Sequence, residues 1–560
     1  MKQMGLRMGL LVGALLIVPV IAVFFVADRL VGLPFVPFDL FDWLARTLPG
    51  GLITPGIDAM VSLIGGLGLG DTAGTAKLVE QLGALGLFLL VGVVGGGVAF
   101  TLLQGREDRQ RVLFGAALGG LVGLLMLVIS AAVNVTASAA PVVQAVWILL
   151  VLVGWGAALG WVNARLARLP EAGAARPEAA ARSEAPTAAE RPSVTVEPID
   201  RRQFLVRVGS ASALITVAGA GLGALAATST QGPQEASLSE VLEDTPSPPR
   251  ATAALPNADA ALQPAPGTRP EYTPVEDHYR IDINLRPPAV DAEEWTLAIT
   301  GLVDNPLTLT LDDIRNNYEP MDQYVTLSCI SNQIGGDLIG TTRWTGVSLQ
   351  QILPQLGLQA DAEYLKISSA DGFYETLWLG LVDADERIML CYAWDGRPLT
   401  VDHGFPLRIY IPDRYGMKQP KWITTIEVMA HDEEGYWVRR GWDEVARMKA
   451  TSVIDTVATD AVYEENGQMF VPVGGIAHAG ARGISRVEVS VDDGEWQQAQ
   501  LRTPLSDLTW VIWRYDWLFE EGPHTFAVRC YDGDGALQIT ERHPPHPSGA
   551  TGIHTRRATL

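Results

Sequence analysis

Cysteine is scarce in this chain of 560 residues, and histidine is missing before position 278. Three cysteines, Cys329, Cys391 and Cys530, are too few for a disulfide framework or for a cluster held by four thiolates. None of the eight histidines precedes His278, and the chain has no Cys-x-x-Cys-His motif. We therefore expect no haem and no iron–sulfur cluster on this chain, because both need ligand sets that the sequence does not supply.

Charged residues are also few, and their deficit is local. They make up 19% of the sequence, and the mean hydropathy of +0.17 is high for a soluble protein. Runs nearly free of charge lie between Met8 and Leu225, which predicts a chain that is part membrane protein and part soluble protein. The net charge of −22 disfavours nucleic acid as a partner, since phosphate backbones are repelled.

Five apolar runs have about the length that a membrane-spanning helix needs, which is about 20 residues. They are Met8–Val26, Leu82–Leu103, Val112–Val133, Val142–Val162 and the shorter Ala211–Ala227, which Phe204–Val208 extends. Glycines such as Gly92 and Gly96 suit the close packing of helices in lipid. The sequence therefore predicts an α-helical membrane domain with four spans in residues 1–163 and a fifth span in residues 201–228.

Positive charge is unevenly distributed among the loops. It is concentrated at the N-terminus with Lys2 and Arg7, after the second span from Arg106 to Arg111, and after the fourth span from Arg165 to Arg202. Five spans would place these stretches on one side, which the positive-inside rule identifies as cytoplasmic. The sequence thus predicts a multi-pass protein of the cell membrane, with everything after about residue 228 outside the cytoplasm.

The fifth span is preceded by Asp200-Arg201-Arg202-Gln203-Phe204-Leu205. Together with the weakly hydrophobic run behind it, this motif resembles the twin-arginine export signal. That route exports proteins already folded, often with a cofactor inside. The alternative interpretation is a plain anchor whose arginines only mark the cytoplasmic side.

Composition divides the rest of the chain into linkers and two soluble domains. Residues 164–200 and 229–271 are rich in alanine and proline and cannot bury a core, so both are predicted to be linkers. Residues 272–450 mix strands and helices without a regular βαβ repeat, which indicates an α+β domain. Residues 451–560 alternate short strands with turns, which is typical of an immunoglobulin-like β-sandwich.

Hydrophobic alternation and capping signals locate individual elements in these domains. The predicted strands are Trp295–Ile299, Tyr324–Ser328, Leu407–Ile411, Trp422–Val428, Val487–Val491, Trp510–Trp513, His524–Arg529 and Ala536–Thr540. A short helix is predicted at Thr310–Asn316. A second is predicted at Ser348–Leu356, where Ser348 and Gln351 have the spacing of a capping box.

A lone cysteine follows a strand in Leu327-Ser328-Cys329-Ile330-Ser331-Asn332 and opens a polar loop that contains glycine. Loops at strand ends often hold functional residues, and glycine lets a bulky ligand approach the backbone. Downstream, His403 and Arg408 are followed by the lysine-containing run Gly416–Lys421. Arginine binds phosphate bidentately and lysine does so as a point charge. A soft thiolate near such cations suits a metal carried on a phosphorylated organic cofactor.

Residues 272–545 resemble the sulfite oxidase family of molybdenum enzymes, also called the oxidoreductase molybdopterin-binding family. The resemblance rests on the order and spacing of Gly301-Leu302-Val303, Cys329 with Asn332, Trp344–Leu349, Asp371-Gly372, His403–Arg408 and Gly416–Trp422. The run Val487–Gly494, with Trp496 and Ala499, resembles the family's C-terminal dimerisation domain. This resemblance covers about half of the chain and implies a homodimer formed through residues 451–560.

The resemblance also implies a molybdenum ion held by the dithiolene of molybdopterin and by one cysteine thiolate, which Cys329 matches. His403 and Arg408 match residues that hold the pterin and its phosphate, and Lys421 matches another cofactor contact. The remaining cofactor-binding candidates on matched positions are Asn284, Asn332, Asp371 and Gln419. Cys391 and Cys530 lie in apolar strands and are expected to be core residues.

Three departures from sulfite oxidases bear on the substrate. Their Arg-Asn-His run aligns with Asp282-Ile283-Asn284, their arginine pair after Cys-x-x-Asn aligns with Gln333 and Ile334, and their active-site tyrosine aligns with Trp442. An oxyanion needs cations to offset its desolvation. The site is therefore predicted to suit a neutral S- or N-oxide, as in the family's exported reductase branch, better than sulfite.

The sequence thus predicts a membrane-anchored, molybdopterin-dependent oxidoreductase that reduces a small S- or N-oxide and exchanges electrons with a separate carrier. Oxidation of the sulfite oxidase type is one alternative. Another is a non-catalytic extracytoplasmic binding module on the same fold. The joint presence of Cys329, His403 and Arg408 favours the enzyme.

Overall fold

The structure is a computed structural model that describes residues 2–51, 56, 72–169, 200–229, 255–288 and 290–560. The chain divides into two compact units. The first comprises Met1–Arg46 and Glu80–Gln231, and the second comprises Thr47–Val79 and Gly232–Leu560. Most of the predicted linker 164–200 and residues 230–254 of the predicted linker 229–271 lie outside the described residues.

Helices make up the first unit. They are α1 Lys2–Val31, α2 Val36–Thr47, α3 Thr72–Leu102, α4 Asp108–Val133, α5 Pro141–Arg168 and α6 Arg201–Ser229. Five of them, all except α2, are long and apolar enough to cross a membrane, in agreement with the predicted spans. The last residue of α2, Thr47, and the first eight of α3 belong to the second unit.

Glycines allow neighbouring helices of the first unit to approach closely. A Cβ atom at Gly119 of α4 would collide with the carbonyl oxygen of Leu152 in α5, and one at Gly96 of α3 would collide with α1 at Gly13. Gly92 likewise lies against Ile17 of α1. The predicted role of the α3 glycines in helix packing is therefore confirmed.

The short amphipathic helix α2 was not predicted from the sequence. It buries the carboxylate of Asp39, which accepts hydrogen bonds from Ser130 Oγ at 2.6 Å and Asn134 Nδ2 at 2.7 Å. These distant partners supply hydrogen bonds to a buried carboxylate, which the sequence alone would assign to a solvated loop.

The α+β domain of the second unit contains two sheets. Its strands are β1 Leu297–Gly301, β2 Leu307–Leu309, β3 Met321–Ser328, β4 Ile339–Ser348, β5 Tyr364–Ser369, β6 Tyr374–Trp378, β7 Met389–Trp394, β8 Arg397–Pro398, β9 Arg408–Tyr410 and β10 Ile423–Met429. One sheet has the order β2-β1-β10-β5-β6, with β1 and β10 parallel, and the other has the order β3-β4-β7-β8, with β9 also paired to β7. Short helices α7 Leu311–Asn316, α8 Leu349–Ile352 and α9 Leu379–Ala384 connect the strands.

The sequence predicts two short helices from capping signals, and only one of the two signals forms the expected hydrogen bonds. Thr310 and Asp313 form a reciprocal capping box at the start of α7. Ser348 caps α8 by accepting from the Gln350 nitrogen, but Gln351 bonds to the backbone of Glu319 instead, so the predicted capping box is wrong. The helix also ends early, because Pro354 has no N–H to continue the α-helical ladder, and a 3₁₀ turn follows.

Two antiparallel sheets form the C-terminal domain. Its strands are β11 Thr451–Val457, β12 Tyr463–Glu465, β13 Gln468–His478, β14 Ile484–Val491, β15 Gln497–Gln498, β16 Gln500–Leu501, β17 Val511–Leu518, β18 Pro523–Asp532 and β19 His554–Thr559. The orders are β11-β13-β17-β16, with β12 paired to β13, and β15-β14-β18-β19. Val473 and Trp513 of the first sheet share a core with Val489 and Phe526 of the second, so the sheets pack face to face.

Some sequence predictions for this domain fail. Ala536–Thr540 is not a strand. It contributes only an isolated bridge between Leu537 and Tyr531 after a tight turn. The central strand β13 was missed because Pro472, Gly474 and Gly475 are residues that disfavour a strand interior.

The predicted linker 229–271 needs correction at its C-terminal end. Asn257 and Ala265 are each 2% exposed, and Arg502 pairs with Glu271 at 2.9 Å while donating to the Leu262 carbonyl at 2.6 Å. Residues 255–271 therefore pack as irregular chain against the C-terminal domain. Composition could not show this, because their anchor lies more than two hundred residues downstream.

Candidate active site

Cys329 lies directly after β3, at the start of a tight loop. Its backbone nitrogen donates to the Leu338 carbonyl at 2.9 Å, and Leu338 in turn donates to Oδ1 of Asn332 at 3.0 Å. The thiol is within 3.0 Å of the Ser331 hydroxyl, and the residue is 8% exposed. Burial raises the pKa of the thiol, and the Ser331 hydrogen bond opposes that rise. A cation at the sulfur would stabilise the thiolate form.

Arg408, the first residue of β9, carries a buried positive charge. The residue is 4% exposed, and its Nη1 donates to the carbonyl of His403 at 3.0 Å. No described carboxylate forms an ion pair with it, and its Nε has no hydrogen-bond partner among the described residues. Burial lowers the pKa of the guanidinium to about 10, so it remains charged at neutral pH. An uncompensated buried cation of this kind is costly, and a bound anion would offset the cost.

Gly404 brings this arginine close to Lys421. With φ of +111°, it adopts a conformation that L side chains avoid, and a Cβ there would lie 3.1 Å from the Cβ atoms of both Arg408 and Lys421. Two cations thus flank a backbone position without a side chain. This is the arrangement that suits a phosphate-bearing ligand.

Lys421 also belongs to a charged cluster around Asp282. Its Nζ lies 3.4 Å from Asp282 Oδ2 and donates to the carbonyl of Asp402 at 2.9 Å. Arg280 pairs with Asp282 at 2.8 Å and with Asp402 at 2.8 Å, and Lys77 pairs with Asp282 at 3.2 Å. Burial lowers the pKa of Lys421 to about 8, opposed by Asp282.

Asp282 was expected to make the substrate position more acidic, and its surroundings correct that expectation. Its side chain is 1% exposed and contacts three cations. Burial opposes ionisation, but Lys77, Lys421 and Arg280 together hold the pKa of Asp282 well below its ordinary value. The carboxylate is therefore neutralised locally and adds no net negative charge to the site.

His403 lies in the same cluster, but both of its ring nitrogens already have protein partners. Nδ1 is 2.8 Å from the Thr400 hydroxyl, and Nε2 lies 3.2 Å from the carbonyl of His278 and 3.3 Å from that of Tyr279. Burial holds the pKa of His403 well below its ordinary value, so the ring is neutral at neutral pH. The histidine therefore fixes the backbone at residues 278–279, next to the Asp282 cluster.

The remaining predicted site residues are buried or line the Cys329 loop. Asn284 is buried and its carbonyl accepts from Lys77, while the buried Asp371 accepts from the Phe373 nitrogen at 2.9 Å. Gln419 is also buried and donates from Nε2 to the carbonyl of Arg414 at 2.9 Å. Its Oε1 has no partner among the described residues.

Several buried polar atoms in this part of the described structure lack hydrogen-bond partners. They are Arg408 Nε, Gln419 Oε1, Ser369 Oγ, His278 Nε2, Trp344 Nε1 and Trp394 Nε1. Buried polar groups are normally satisfied, so such a group of atoms indicates a polar ligand. Donors, an acceptor and an unpaired guanidinium together fit an organic cofactor that carries a hydrogen-bonding ring and a phosphate.

A pocket lies on another side of the Cys329 loop. Its lining includes Asn332, Gln333, Ile334, Tyr415, Lys449 and His478. Arg269 also lines it, but this arginine pairs with Asp455 at 2.6 Å. Trp442 packs with Ile330 and Tyr415, next to the same loop. The two positions expected to replace the arginine pair of sulfite oxidases therefore do line a pocket.

Lys77 is a site residue that sequence reasoning missed. It precedes a predicted span, and its partners Asp282 and Asn284 lie more than two hundred residues downstream. No local pattern marks such a contact. Trp344 was known only as part of a matched motif, and its ring packs under Arg408.

Comparison with known proteins identifies two family matches in the second unit. Residues 284–437 match the family described as the oxidoreductase molybdopterin binding domain, and residues 443–538 match the Mo-co oxidoreductase dimerisation domain. The second unit therefore contains a molybdopterin-binding domain of the sulfite oxidase and nitrate reductase type, followed by a dimerisation domain.

The chain is similar to a nitrate reductase [NAD(P)H] of Hordeum vulgare, with 28% identity over 320 residues that cover 46% of this chain and 36% of the relative. It is also similar to a sulfite oxidase of Arabidopsis thaliana, with 27% identity over 273 residues that cover 40% of this chain and 69% of the relative. A structure of the sulfane dehydrogenase SoxCD from Paracoccus pantotrophus aligns with a TM-score of 0.46 and 20% identity, covering 53% of this chain and 82% of that one. The chain spans about a third of the length of the nitrate reductases it matches.

Proposed function

We propose that the molybdopterin-binding domain makes this chain a membrane-anchored molybdenum-cofactor oxidoreductase, which acts outside the cytoplasm and reduces a neutral S- or N-oxide. The observation that carries the cofactor assignment is the burial of Arg408 without a carboxylate partner among the described residues. Structural arginines are normally paired when buried, whereas an arginine that binds an anionic ligand has its counter-charge on that ligand.

The residues present fit molybdopterin. Cys329 would be the protein ligand to the metal, and Arg408 and Lys421 would bind the phosphate. Gln419 would contribute its free acceptor, while Asn284, Asp371 and His403 hold the surrounding backbone. When bound, the group supplies the redox chemistry of oxygen-atom transfer.

The substrate assignment rests on the pocket beside the Cys329 loop. Gln333 and Ile334 line it where sulfite oxidases have arginines, and Arg269 already has Asp455 as a counter-charge. A neutral oxide loses little hydration free energy when it enters such a pocket. A dianion loses much more, and in this pocket it would lack counter-charges that offset the loss. The reaction consumes two electrons and two protons and converts the oxide to its parent compound and water.

Tyr415 is placed to act on an oxide oxygen. It lines the pocket, and its hydroxyl accepts from the Lys449 nitrogen at 3.2 Å, which leaves the hydroxyl proton available for donation. Burial raises the pKa of Tyr415 to about 12, so it stays protonated at neutral pH. We assign it the role of orienting the oxide through one hydrogen bond.

Sulfite-type oxidation is the second candidate. Lys449 lines the pocket and forms no ion pair among the described residues, and named relatives include sulfite oxidases. This single cation would offset one charge of an oxyanion. A non-catalytic binding module is a weaker alternative, because it gives no reason for a buried Arg408 that has no carboxylate partner among the described residues.

The membrane part of the proposal rests on five helices that are long and apolar enough to span. Thr72–Val79 lies in the same compact unit as the molybdopterin-binding domain, which supports a position of both stretches on one side of a membrane. Five spans agree with this arrangement, because two spans separate Thr72 from Pro141 and two more lead from there to Ser229. The arginine distribution assigns this side to the exterior.

Two partners complete the proposal. The dimerisation domain at residues 443–538 supports a homodimer. A separate carrier exchanges electrons with the site, because the sequence offers no histidine pair for haem in the spans.

A substrate panel tests the proposed function. Purified full-length protein in detergent is assayed with methionine sulfoxide, dimethyl sulfoxide and trimethylamine N-oxide, each with a reduced artificial donor. Sulfite is assayed in parallel with an artificial acceptor. We expect turnover of at least one neutral oxide and negligible sulfite oxidation. Efficient sulfite oxidation without oxide reduction would replace the reductase assignment with the second candidate.

A further inference from the structure

A segment far upstream in the sequence lies against the candidate active site. Residues Thr72–Val79, the first eight of α3, belong to the second unit. The Thr72 nitrogen donates to Oδ2 of Asp337 at 2.8 Å, and Ala73, 5% exposed, shares an apolar cluster with Cys329 and Leu338. The segment therefore covers the loop that carries the predicted metal ligand.

Lys77 extends from the same segment to Asp282. Its Nζ lies 3.2 Å from Oδ1 of that carboxylate and donates to the carbonyl oxygens of Asp282 at 3.2 Å and Asn284 at 2.7 Å. The lysine side chain is 12% exposed and the aspartate side chain 1%. An ion pair this far from water is screened much less than a surface pair.

Lys77 also changes the charge balance of the site. The cluster comprises two carboxylates and three cations, namely Asp282, Asp402, Arg280, Lys421 and Lys77. Arg408, beside Lys421, adds a cation without a described carboxylate partner. Asp371 also acts electrostatically on Lys421, which leaves an excess of one positive charge to attract a phosphate monoester, a group that carries close to two negative charges at neutral pH. Without Lys77 no excess would remain.

The distances indicate how Lys77 acts. Arg280 contacts Asp282 at 2.8 Å and Lys77 does so at 3.2 Å, whereas Lys421 is 3.4 Å away. Charge-assisted hydrogen bonds normally measure about 2.7–2.9 Å, so Lys421 is the most loosely held of the three cations. Its weak hold on Asp282 leaves Lys421 able to bind another anion.

We propose that Thr72–Lys77 completes the cofactor site. Ala73 packs over the Cys329 thiol, and Lys77 pairs with Asp282. Lys421 and Arg408 are then available to bind the phosphate of the cofactor. Lys77 is thus a positioning residue that acts through Asp282. This inference rests on the proposed function, because it concerns the same cofactor. It gives a part in cofactor binding to a segment outside the residues that match the molybdopterin-binding family.

The first experiment measures cofactor retention in the full-length protein. Lys77→Met removes the charge, Lys77→Arg keeps it, and Lys366→Met is the control, since Lys366 forms a more exposed ion pair with Glu433 on another part of the domain. Molybdenum and pterin are quantified per chain during dilution and washing. We expect Lys77→Met to lose the cofactor about tenfold faster than the wild type, in line with the loss of one charged hydrogen bond. Lys77→Arg and Lys366→Met should retain it.

The second experiment measures alkylation of Cys329 in cofactor-free protein. Ala73→Lys places a long charged side chain at a buried position and should force the segment away, which makes Cys329 react several-fold faster. Cys391 and Cys530, both 0% exposed, report on folding and should stay unreacted. If Lys77→Met unfolds, those two thiols react as well. Loss of cofactor from a folded Lys77→Arg would then contradict the proposal, and its retention would support it.

The outcomes separate this inference from the proposed function. A wild type that holds molybdenum, with Lys77→Met retaining it equally and Cys329 unchanged by Ala73→Lys, overturns the inference alone. A wild type that holds no molybdenum after maturation in a cofactor-producing host overturns the proposed function and the role of Lys77 with it. The alkylation rates then still decide whether the segment covers the thiol.

Discussion

The guanidinium carbon of Arg408 lies 4.6 Å from the centre of the Trp344 ring, and both residues are almost completely buried. A cation over an indole gains about 2 kcal/mol when it is desolvated. That gain is smaller than the cost of several kcal/mol for burying a charge without a counter-charge. The pair therefore forms a binding site that destabilises the empty protein and is stabilised by an anionic ligand.

Replacing Arg408 with Met tests this relationship through two opposite effects. The cofactor content should fall to background, because the phosphate loses its main counter-charge. The thermal unfolding midpoint of the cofactor-free chain should rise by several degrees, because an unpaired buried charge is removed. Metal analysis and thermal unfolding of the same preparations measure both effects.

A matched control for that variant is Arg529→Met, since Arg529 pairs with Glu488 at 2.6 Å at a partly exposed position of the C-terminal domain. It should leave the molybdenum content unchanged. If Arg408→Met kept its cofactor, or if it destabilised the cofactor-free chain, Arg408 would be a structural residue.

Ile334→Arg should shift the substrate preference towards anions. Ile334 lines the pocket, so an arginine there would supply a counter-charge for sulfite, worth at least tenfold in apparent affinity. KM values for sulfite and for a neutral sulfoxide are the measurement. Ile539→Arg, at a 48% exposed position, adds the same charge outside the pocket and should change neither KM. An unchanged sulfite KM in Ile334→Arg would show that this pocket does not receive the substrate.

Reporter fusions test the five-span topology. A reporter joined at Arg165 should be cytoplasmic and one joined at Gln231 should be exported, because one span and its flanking arginines separate them. Changing Arg201 and Arg202 together to Lys preserves the charge, so a plain anchor would tolerate it, whereas twin-arginine export should be blocked. Two cytoplasmic reporters would disprove the span count.

The buried His478 should make the stability of the protein depend on pH. Burial lowers the pKa of His478 from 6.5 to about 3, so between these values the unfolded chain binds a proton that the folded chain does not. The stabilising contribution is full above pH 6.5 and is lost as the pH falls towards 3. His478→Gln should make the free energy of unfolding fall less steeply below pH 6.5, by up to about 1.4 kcal/mol per pH unit, which is the effect of one proton. The unfolding midpoint should therefore fall less in this variant than in the wild type. His543→Gln, at an exposed position, is the control, and an equal slope in all three proteins would contradict the assignment.

Sequence alone identified the features that depend on local pattern. Span length and hydropathy are properties of one segment, so the five long helices were predicted from composition. Cys329 and Arg408 were found because short motifs place them, and the structure shows both buried close to strand ends. Whether they bind a cofactor remains a prediction.

Features that depend on distant partners could not be predicted. Asp282 looked like an added negative charge, but Lys77 and Lys421 from distant parts of the chain neutralise it together with the nearby Arg280. Lys77 reaches it across more than two hundred residues, and residues 255–271 are ordered by Arg502 over a similar separation. These distant partners lie outside any window that a sequence pattern can cover.

The central claim is that Cys329 binds a molybdenum cofactor in the second unit, and metal analysis tests it most directly. Full-length wild type, Cys329→Ser and Cys391→Ser are produced in a host that makes molybdopterin, and molybdenum and pterin are quantified per chain. Cys391 is a control of the same residue type, since it is 0% exposed in an apolar cluster. We expect close to one molybdenum per chain in the wild type and in Cys391→Ser, and a loss of molybdenum or an altered metal absorption spectrum in Cys329→Ser. A wild type without molybdenum, or a Cys329→Ser variant with unchanged content and spectrum, would contradict the account.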